Sequence, residues 1–329
     1  MSSSTPLPDR ARAAGLGGRI GLALGSGAAR GWAHVGVLRA LEEAGLAPQI
    51  VCGSSSGAIA GAMYAAGQLD RFETWGRQLD WRQVVAYFDL SLRGGLIKAR
   101  KLIDFLTEEL RERTIESLER RFAAVATDLA TGREVWLREG SLVDCMRASI
   151  ALPGLITPVR LDGRWLVDGG LVNPVPVSLC RALGADSVIA VDLNTTLLGR
   201  RVERAGSGDA DGAAAPESEA PPARVEDTRI GAAVREFLAD LRERAGARDG
   251  AAPEEAPPSI YEVVVTSINV MQVRITRSRM AGDPPDLLIT PRLHDFALLD
   301  FDRAAEAIDE GRRAVAHALA VGSPQDLAP

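Results

Sequence analysis

The chain reads as an α/β protein, a mainly parallel but mixed central sheet with helices on both faces in three α/β/α layers. Three observations predict this. Arg19–Leu24, Ile50–Cys52 and the centre of Asp186–Leu193 are short apolar runs, the pattern of strands buried on both faces. The first two are each followed by a small-residue turn and a helical segment, and β-α-β-α alternation packs as a parallel sheet between helices. Phe122–Asp128 with Glu134–Leu137, and Leu161 with Trp165–Val167, flank the turns Thr131-Gly132 and Asp162-Gly163, which makes the sheet mixed.

In chain order, residues 1–18 are polar and small with no apolar stretch of signal-peptide type, and are expected to be a flexible N-terminus. Residues 19–198 form the expected catalytic core. After the strand Arg19–Leu24 and the turn Gly25–Gly31, residues His34, Val37, Leu38 and Leu41 recur at helical spacing, and Gly45 ends that helix as a C-cap. The strand Ile50–Cys52, the turn Gly53–Gly57 and a helix through Ala66 follow. Residues 70–121 read as mostly helical, broken at Gly94-Gly95, with Lys101–Arg113 amphipathic. Val143–Ile150 is a helix stopped by Pro153.

Residues 199–258 are rich in Gly, Ala, Pro, Glu and Asp, with Val234–Leu241 as an isolated helical stretch. Such composition cannot offset its ordering entropy, so this is expected to be a mobile insertion. Residues 259–323 regain order as a helix-strand-helix unit packing on the core. Ile260, Val264, Ile268, Met271 and Ile275 repeat at helical spacing, Asp286–Thr290 is a strand, and Phe301–Ala320 a closing amphipathic helix.

With a net charge of −6 and a pI near 5.3, the chain lacks the basic surface that nucleic-acid binding uses. Cys52, Cys145 and Cys180 have neither the number nor the spacing of a disulfide framework or zinc site. No apolar run is long enough to span a bilayer. The expectation is a cytoplasmic protein that can touch a membrane peripherally.

The chemistry centres on Ser55 in Gly53-Ser54-Ser55-Ser56-Gly57, a G-x-S-x-G between strand and helix. That is the pattern of a nucleophile elbow, where the serine hydroxyl projects over the end of a sheet and the glycines let strand and helix approach. A serine needs a base and an oxyanion hole. The chain has three histidines, His34, His294 and His317; His294 alone suits a Ser…Asp…His order. Asp168, ending an apolar run before Gly169-Gly170, is the better base, since burial can keep a carboxylate basic. Gly25-Ser26-Gly27-Ala28-Ala29-Arg30-Gly31 can expose successive amides to an oxyanion. The same glycines also approach a dinucleotide fingerprint, but the second strand ends in Cys52-Gly53-Ser54 without the charged residue that would hold a ribose.

Taken together, Leu24–His34, Gly53–Ala58, Ala148–Gly154 with Pro158-Val159, and Asp168-Gly169-Gly170 resemble, in order, the motif blocks of the patatin-like phospholipase family, and its short bacterial cytoplasmic branch in particular. The resemblance spans roughly residues 19–195. It implies a serine lipid acyl hydrolase without metal or cofactor, with Ser55 as nucleophile and Asp168 as general base. It also implies Gly27, Ala28 and Ala29 as oxyanion donors, and Gly25, Arg30, Gly31, Gly53, Gly57, Gly169 and Gly170 in support. Arg30 would anchor the loop, and His34 would pack or bond to it.

Two departures stand out. Ser26-Gly27-Ala28 replaces three successive glycines, which is costly only if Ala28 must adopt positive φ. Ser54 and Ser56 replace the commoner threonine and alanine of the elbow. The implied substrates are carboxylic esters of lipids. Segments around Trp81, Tyr87-Phe88 and Leu96-Ile97 read first as core packing, with an acyl groove or a face lying on a membrane as the alternatives. The competing functions are a dinucleotide-dependent oxidoreductase built on Gly25–Gly31 and a non-catalytic lipid-binding regulator.

Overall fold

A computed structural model of the chain describes residues 16–80, 84, 100–110, 112–153, 155–195 and 260–321. The Gly94-Gly95 break, the segments around Trp81, Tyr87-Phe88 and Leu96-Ile97, and the 199–258 insertion lie outside the described residues.

The sheet has eight strands. β1 (Ile20–Leu24), β2 (Ile50–Ser54), β3 (Arg121–Asp128), β7 (Ser187–Val191) and β8 (Leu287–Ile289) are parallel to their neighbours in this set. β4 (Glu134–Leu137) and β6 (Arg164–Asp168) run antiparallel to β3, and β5 (Val159–Leu161) antiparallel to β6. The order is β5-β6-β3-β2-β1-β7-β8, with β4 also on β3. Both hairpins form at the turns read from sequence; at the second, Asp162 and Gly163 both take positive φ, as a two-residue hairpin turn requires.

The helices are α1 (Ala33–Glu43), α2 (Ser56–Ala65), α3 (Leu69–Gln78), α4 (Arg100–Leu110), α5 (Leu142–Ser149), α6 (Val177–Ala182), α7 (Ile260–Gly282) and α8 (Ala304–Val321). Alternation along the strands divides the core in two. Leu22, Leu24 and Val51 join Val37, Leu41, Met63, Met146 and Ile308 from α1, α2, α5 and α8 on one face. Ala23, Ile50 and Cys52 join Val177, Leu179 and Cys180 of α6 on the other, with Met280 of α7 packed against them. The sheet is therefore covered on both sides.

Three features differ from expectation or escaped it. Packing begins just ahead of β1: Leu16 is buried, and Gly17 exchanges hydrogen bonds with Ser187 Oγ at 2.9 and 2.8 Å. Helix α6 was not legible, because six residues entered through Pro174 and Pro176 carry no period to detect. Helix α7 forms as its periodicity predicts, yet Val264 and Met271 of that apolar series are exposed while Ile268, Gln272, Val273 and Thr276 face inward. Its inner face is thus partly polar, because it closes over a polar cleft.

The geometry that matters most lies on β3. β2 pairs with Arg121–Val125, and β6 takes over at Ala126–Asp128 while β4 occupies the other edge at Ala124–Thr127. The end of β6 therefore arrives where β2 stops.

Candidate active site

Ser55 stands between β2 and α2 at φ 55°, ψ −123°, in a region that L-residues rarely adopt. Its amide donates to Ser149 Oγ at 3.0 Å, and Ser149 Oγ donates to Val125 O at 2.7 Å. This relay from α5 to β3 anchors the strained turn. Ser149 lay within a recognised motif block, but nothing in the sequence assigned it that contact. The supporting glycines Gly25, Gly31, Gly53, Gly57, Gly169 and Gly170 sit at close passages; a Cβ on Gly57 would lie 2.1 Å from Leu24 O, and one on Gly53 2.4 Å from Ala58 N. Close approach, not positive φ, accounts for them. Among the described residues Ser56 Oγ has no hydrogen-bond partner, and it packs against Gly31.

Because β6 succeeds β2 along β3, Asp168 meets Ser55. Ser55 Oγ donates to Asp168 Oδ2 at 2.6 Å, and the Gly170 amide donates to Oδ1 at 2.7 Å. Asp168 is wholly buried. Burial pushes its pKa up to about 6, against the opposing hydrogen bonds from Ser55 and Gly170. A carboxylate so poised is ionised at neutral pH yet basic enough to take a hydroxyl proton.

The glycine-rich loop lies beside this pair. Gly25 N donates to Val191 O at 3.0 Å, Ser26 N to Pro174 O at 2.9 Å and Ala29 N to Leu298 O at 3.1 Å. The expected third oxyanion donor, Ala29, is therefore already engaged, because the 3-10 turn at Ala28–Trp32 aims its amide at the loop before α8. Among the described residues the amides of Gly27 and Ala28 have no partner. Ala28 takes φ 49°, the costly case for an alanine in a glycine's usual place. Arg30 is buried and donates from Nε to Gly27 O at 3.3 Å and from a terminal nitrogen to Asn269 Oδ1 at 3.4 Å, the contacts of a loop anchor.

The histidines stand apart from the serine and aspartate. His34 Nε2 bonds to Gly25 O at 2.7 Å, and burial lowers its pKa to about 4, so it is neutral at pH 7 and donates that hydrogen bond. His294 makes no hydrogen bond to Ser55 or Asp168, and His317 is exposed.

Ser55 opens into a cleft walled by Ser26, Gly27, Ala28 and Arg30 on the loop side and by Ile268, Asn269 and Gln272 of α7. A second, apolar pocket adjoins it at Ala28, lined by Trp32, Ile59, Phe72, Trp75 and Leu79 among others. Trp32 lies 4.5 Å from Phe72 between ring centroids, and Trp75 stacks on Phe105 at 4.3 Å. Among the described residues no cluster of His, Cys, Asp or Glu could hold a metal ion, and no helix is long and apolar enough to cross a membrane.

A family model described as patatin-like phospholipase matches residues 22–181. An uncharacterized NTE family protein of Mycobacterium tuberculosis is 36% identical over 92% of this chain and 91% of its own length. A patatin-like phospholipase domain-containing protein of Caenorhabditis elegans is 39% identical over 54% of this chain and 14% of its own. Among solved structures, VipD from Legionella pneumophila aligns with a TM-score of 0.47 and 15% identity over 93% of this chain and 68% of that one.

Proposed function

Because the chain belongs to the patatin-like phospholipase family, we propose that it is a serine lipid acyl hydrolase that cleaves carboxylic esters of lipids through Ser55 and Asp168. The observation that carries this reading is the 2.6 Å hydrogen bond from Ser55 Oγ to a buried, basic Asp168. It lies in a cleft where, among the described residues, the amides of Gly27 and Ala28 have no partner.

In this mechanism Asp168 takes the Ser55 proton as Oγ attacks the ester carbonyl. The developing oxyanion meets the Gly27 and Ala28 amides, which are preorganised by the bonds that hold Gly25, Ser26 and Ala29. Collapse of the tetrahedral intermediate expels the alcohol, which receives the proton from Asp168. A water, deprotonated by Asp168, then attacks the acyl-enzyme; as the bond to Ser55 Oγ breaks, Asp168 returns that proton to Oγ and the fatty acid is released. The apolar pocket beginning at Ala28 supports an acyl chain as the group lodged beside Ser55. Peripheral contact with a membrane belongs to the same proposal, since esters of this class reside there.

The test is labelling with a fluorophosphonate together with turnover of medium-chain lipid esters by wild type, Ser55→Ala and Asp168→Asn. Wild type should label and turn over. Hydrolysis by Ser55→Ala at the wild-type rate would overturn the proposal.

A further inference from the structure

In the proposed mechanism Asp168 has to present Oδ2 to Ser55. Its orientation is set at the other oxygen, where the Gly170 amide donates to Oδ1 at 2.7 Å. That amide belongs to the single 3-10 turn Gly169–Leu171, so the aim of the base follows from how this turn is held. β3 holds its entry: Thr127 Oγ1 donates to Asp168 O at 2.8 Å, and a Cβ on Gly169 would lie 2.2 Å from Val125 O. Its exit is formed by Val172 and Asn173, whose amides donate back to Gly169 O at 3.1 and 3.0 Å.

The exit is held from α7, a helix outside the span matched by the family model. Arg279 Nε donates to Val172 O at 2.8 Å, and a terminal nitrogen of the same guanidinium donates to Glu134 Oε2 at 2.7 Å. Glu134 Oε1 accepts from Asn173 Nδ2 at 2.7 Å and from Trp136 Nε1 at 2.8 Å. One guanidinium and one carboxylate thus span both residues that close the turn. The Glu134 side chain is only 16% exposed, so this is not a solvated surface pair of little consequence. Charge-assisted bonds from a planar, rigid donor to two fixed acceptors set geometry as well as energy.

The basicity of Asp168 is set by burial, opposed by the Ser55 and Gly170 hydrogen bonds. The other charged groups on surrounding elements have their own partners or stand at the rim. Asp128 of β3 accepts from the Ala130 and Thr131 amides, Arg30 of the glycine-rich loop bonds to Gly27 O, and Asp144 and Arg147 of α5 bond to each other. Arg164, at the far end of β6, is exposed.

We infer that Arg279, acting through Val172 O and Glu134, is a positioning residue for the base: it fixes the exit of the turn so that the Gly170 amide holds Oδ1 and Oδ2 faces Ser55. This rests on the serine hydrolase reading above and adds to it the residue pair that aims Asp168. No proton or group passes through either member.

The experiment records kcat and kcat/KM against pH, on a soluble medium-chain ester, for wild type, Arg279→Met and Glu134→Gln. Arg279→Met removes both donors, and Glu134→Gln puts an amide NH2 where a donor needs an acceptor. The two substitutions change local charge in opposite senses yet loosen the same turn. A weakened Gly170 hydrogen bond stabilises the carboxylate less, so the acid limb of kcat/KM should move to higher pH in both variants, by about 0.5–1 unit. At the pH optimum kcat should fall roughly 10-fold, as expected for a misplaced reacting group, with KM changed less than about twofold. Limbs that move in opposite directions would show that only the field of the two charges reaches Asp168, and would overturn the inference. So would a limb left at its wild-type position in either folded variant, even with a lower kcat, because the pair would then be merely structural. Failure of the underlying reading is separate: it would show as hydrolysis by Ser55→Ala at the wild-type rate.

Discussion

Ser55 Oγ and Asp168 Oδ2 lie 2.6 Å apart although 113 residues separate them in the chain. Their meeting depends on β3. β2 uses its edge up to Val125 and β6 resumes at Ala126, so two strands of opposite direction end at the same point.

The first prediction concerns pH and rate. In the proposed mechanism Asp168 must be ionised to accept the Ser55 proton, and burial raises its pKa to about 6. The kcat/KM of the free enzyme should therefore fall on the acid side with an apparent pKa near that value. Asp168→Asn should lose at least about 100-fold in kcat, in line with the contribution of a general base. A profile flat down to pH 4.5 would contradict the assigned base.

A second prediction concerns stability and follows from the same shift. The raised pKa means that the folded state binds the Asp168 proton more tightly than the unfolded chain does. Stability from this group is thus greatest below about pH 4 and is lost as pH rises through about 6. Asp168→Asn, which cannot ionise, should be more stable than wild type at pH 8 by up to about 3 kcal/mol, and the gap should close toward pH 4. Urea unfolding at the two pH values measures this; a gap that widens on acidification would refute it.

Ala28 supplies the third. At φ 49° it pays the steric cost of a left-handed L-residue, of which glycine is relieved at some expense in unfolded-state entropy. Ala28→Gly should stabilise the protein by about 0.5–1 kcal/mol. A lower midpoint of denaturation in the variant would show that the turn is not strained there.

The fourth tests the anchor of the elbow. Ser149→Ala removes the acceptor of the Ser55 amide and the donor to Val125 O, leaving two backbone groups unpaired beside a strained residue. Destabilisation of about 1–3 kcal/mol is expected, with a fall in kcat as Ser55 loses its orientation. Ser149→Thr keeps the hydroxyl and should recover most of both. If Ser149→Ala matched wild type in stability and kcat, the relay would be irrelevant.

Much of the sheet was legible because its strands carry local signals: the apolar run of β1, the Asp162-Gly163 turn of the β5–β6 hairpin, and Gly45 at positive φ after α1. The elbow could be read for the same reason, since Gly53, Ser55 and Gly57 act within a few residues of one another. The glycine-rich loop was legible as a loop, but not in its number of free donors. Whether Ala29 faces an oxyanion or Leu298 O depends on a segment nearly 270 residues away. The inner face of α7 was hidden because its apolar residues Val264 and Met271 point outward, so periodicity located the helix and misled about its face.

By itself, then, the sequence determined the alternation of strands and helices, the strained serine turn and the presence of a carboxylate before two glycines, all of which rest on short-range sterics and hydrophobic period. Only the tertiary structure decided that Asp168 reaches Ser55, that Ala29 is occupied, and that Gln272 faces the cleft. Each of these depends on which chain segments share a strand edge or a helix face. Register and packing set that over long separations, and no local pattern encodes it.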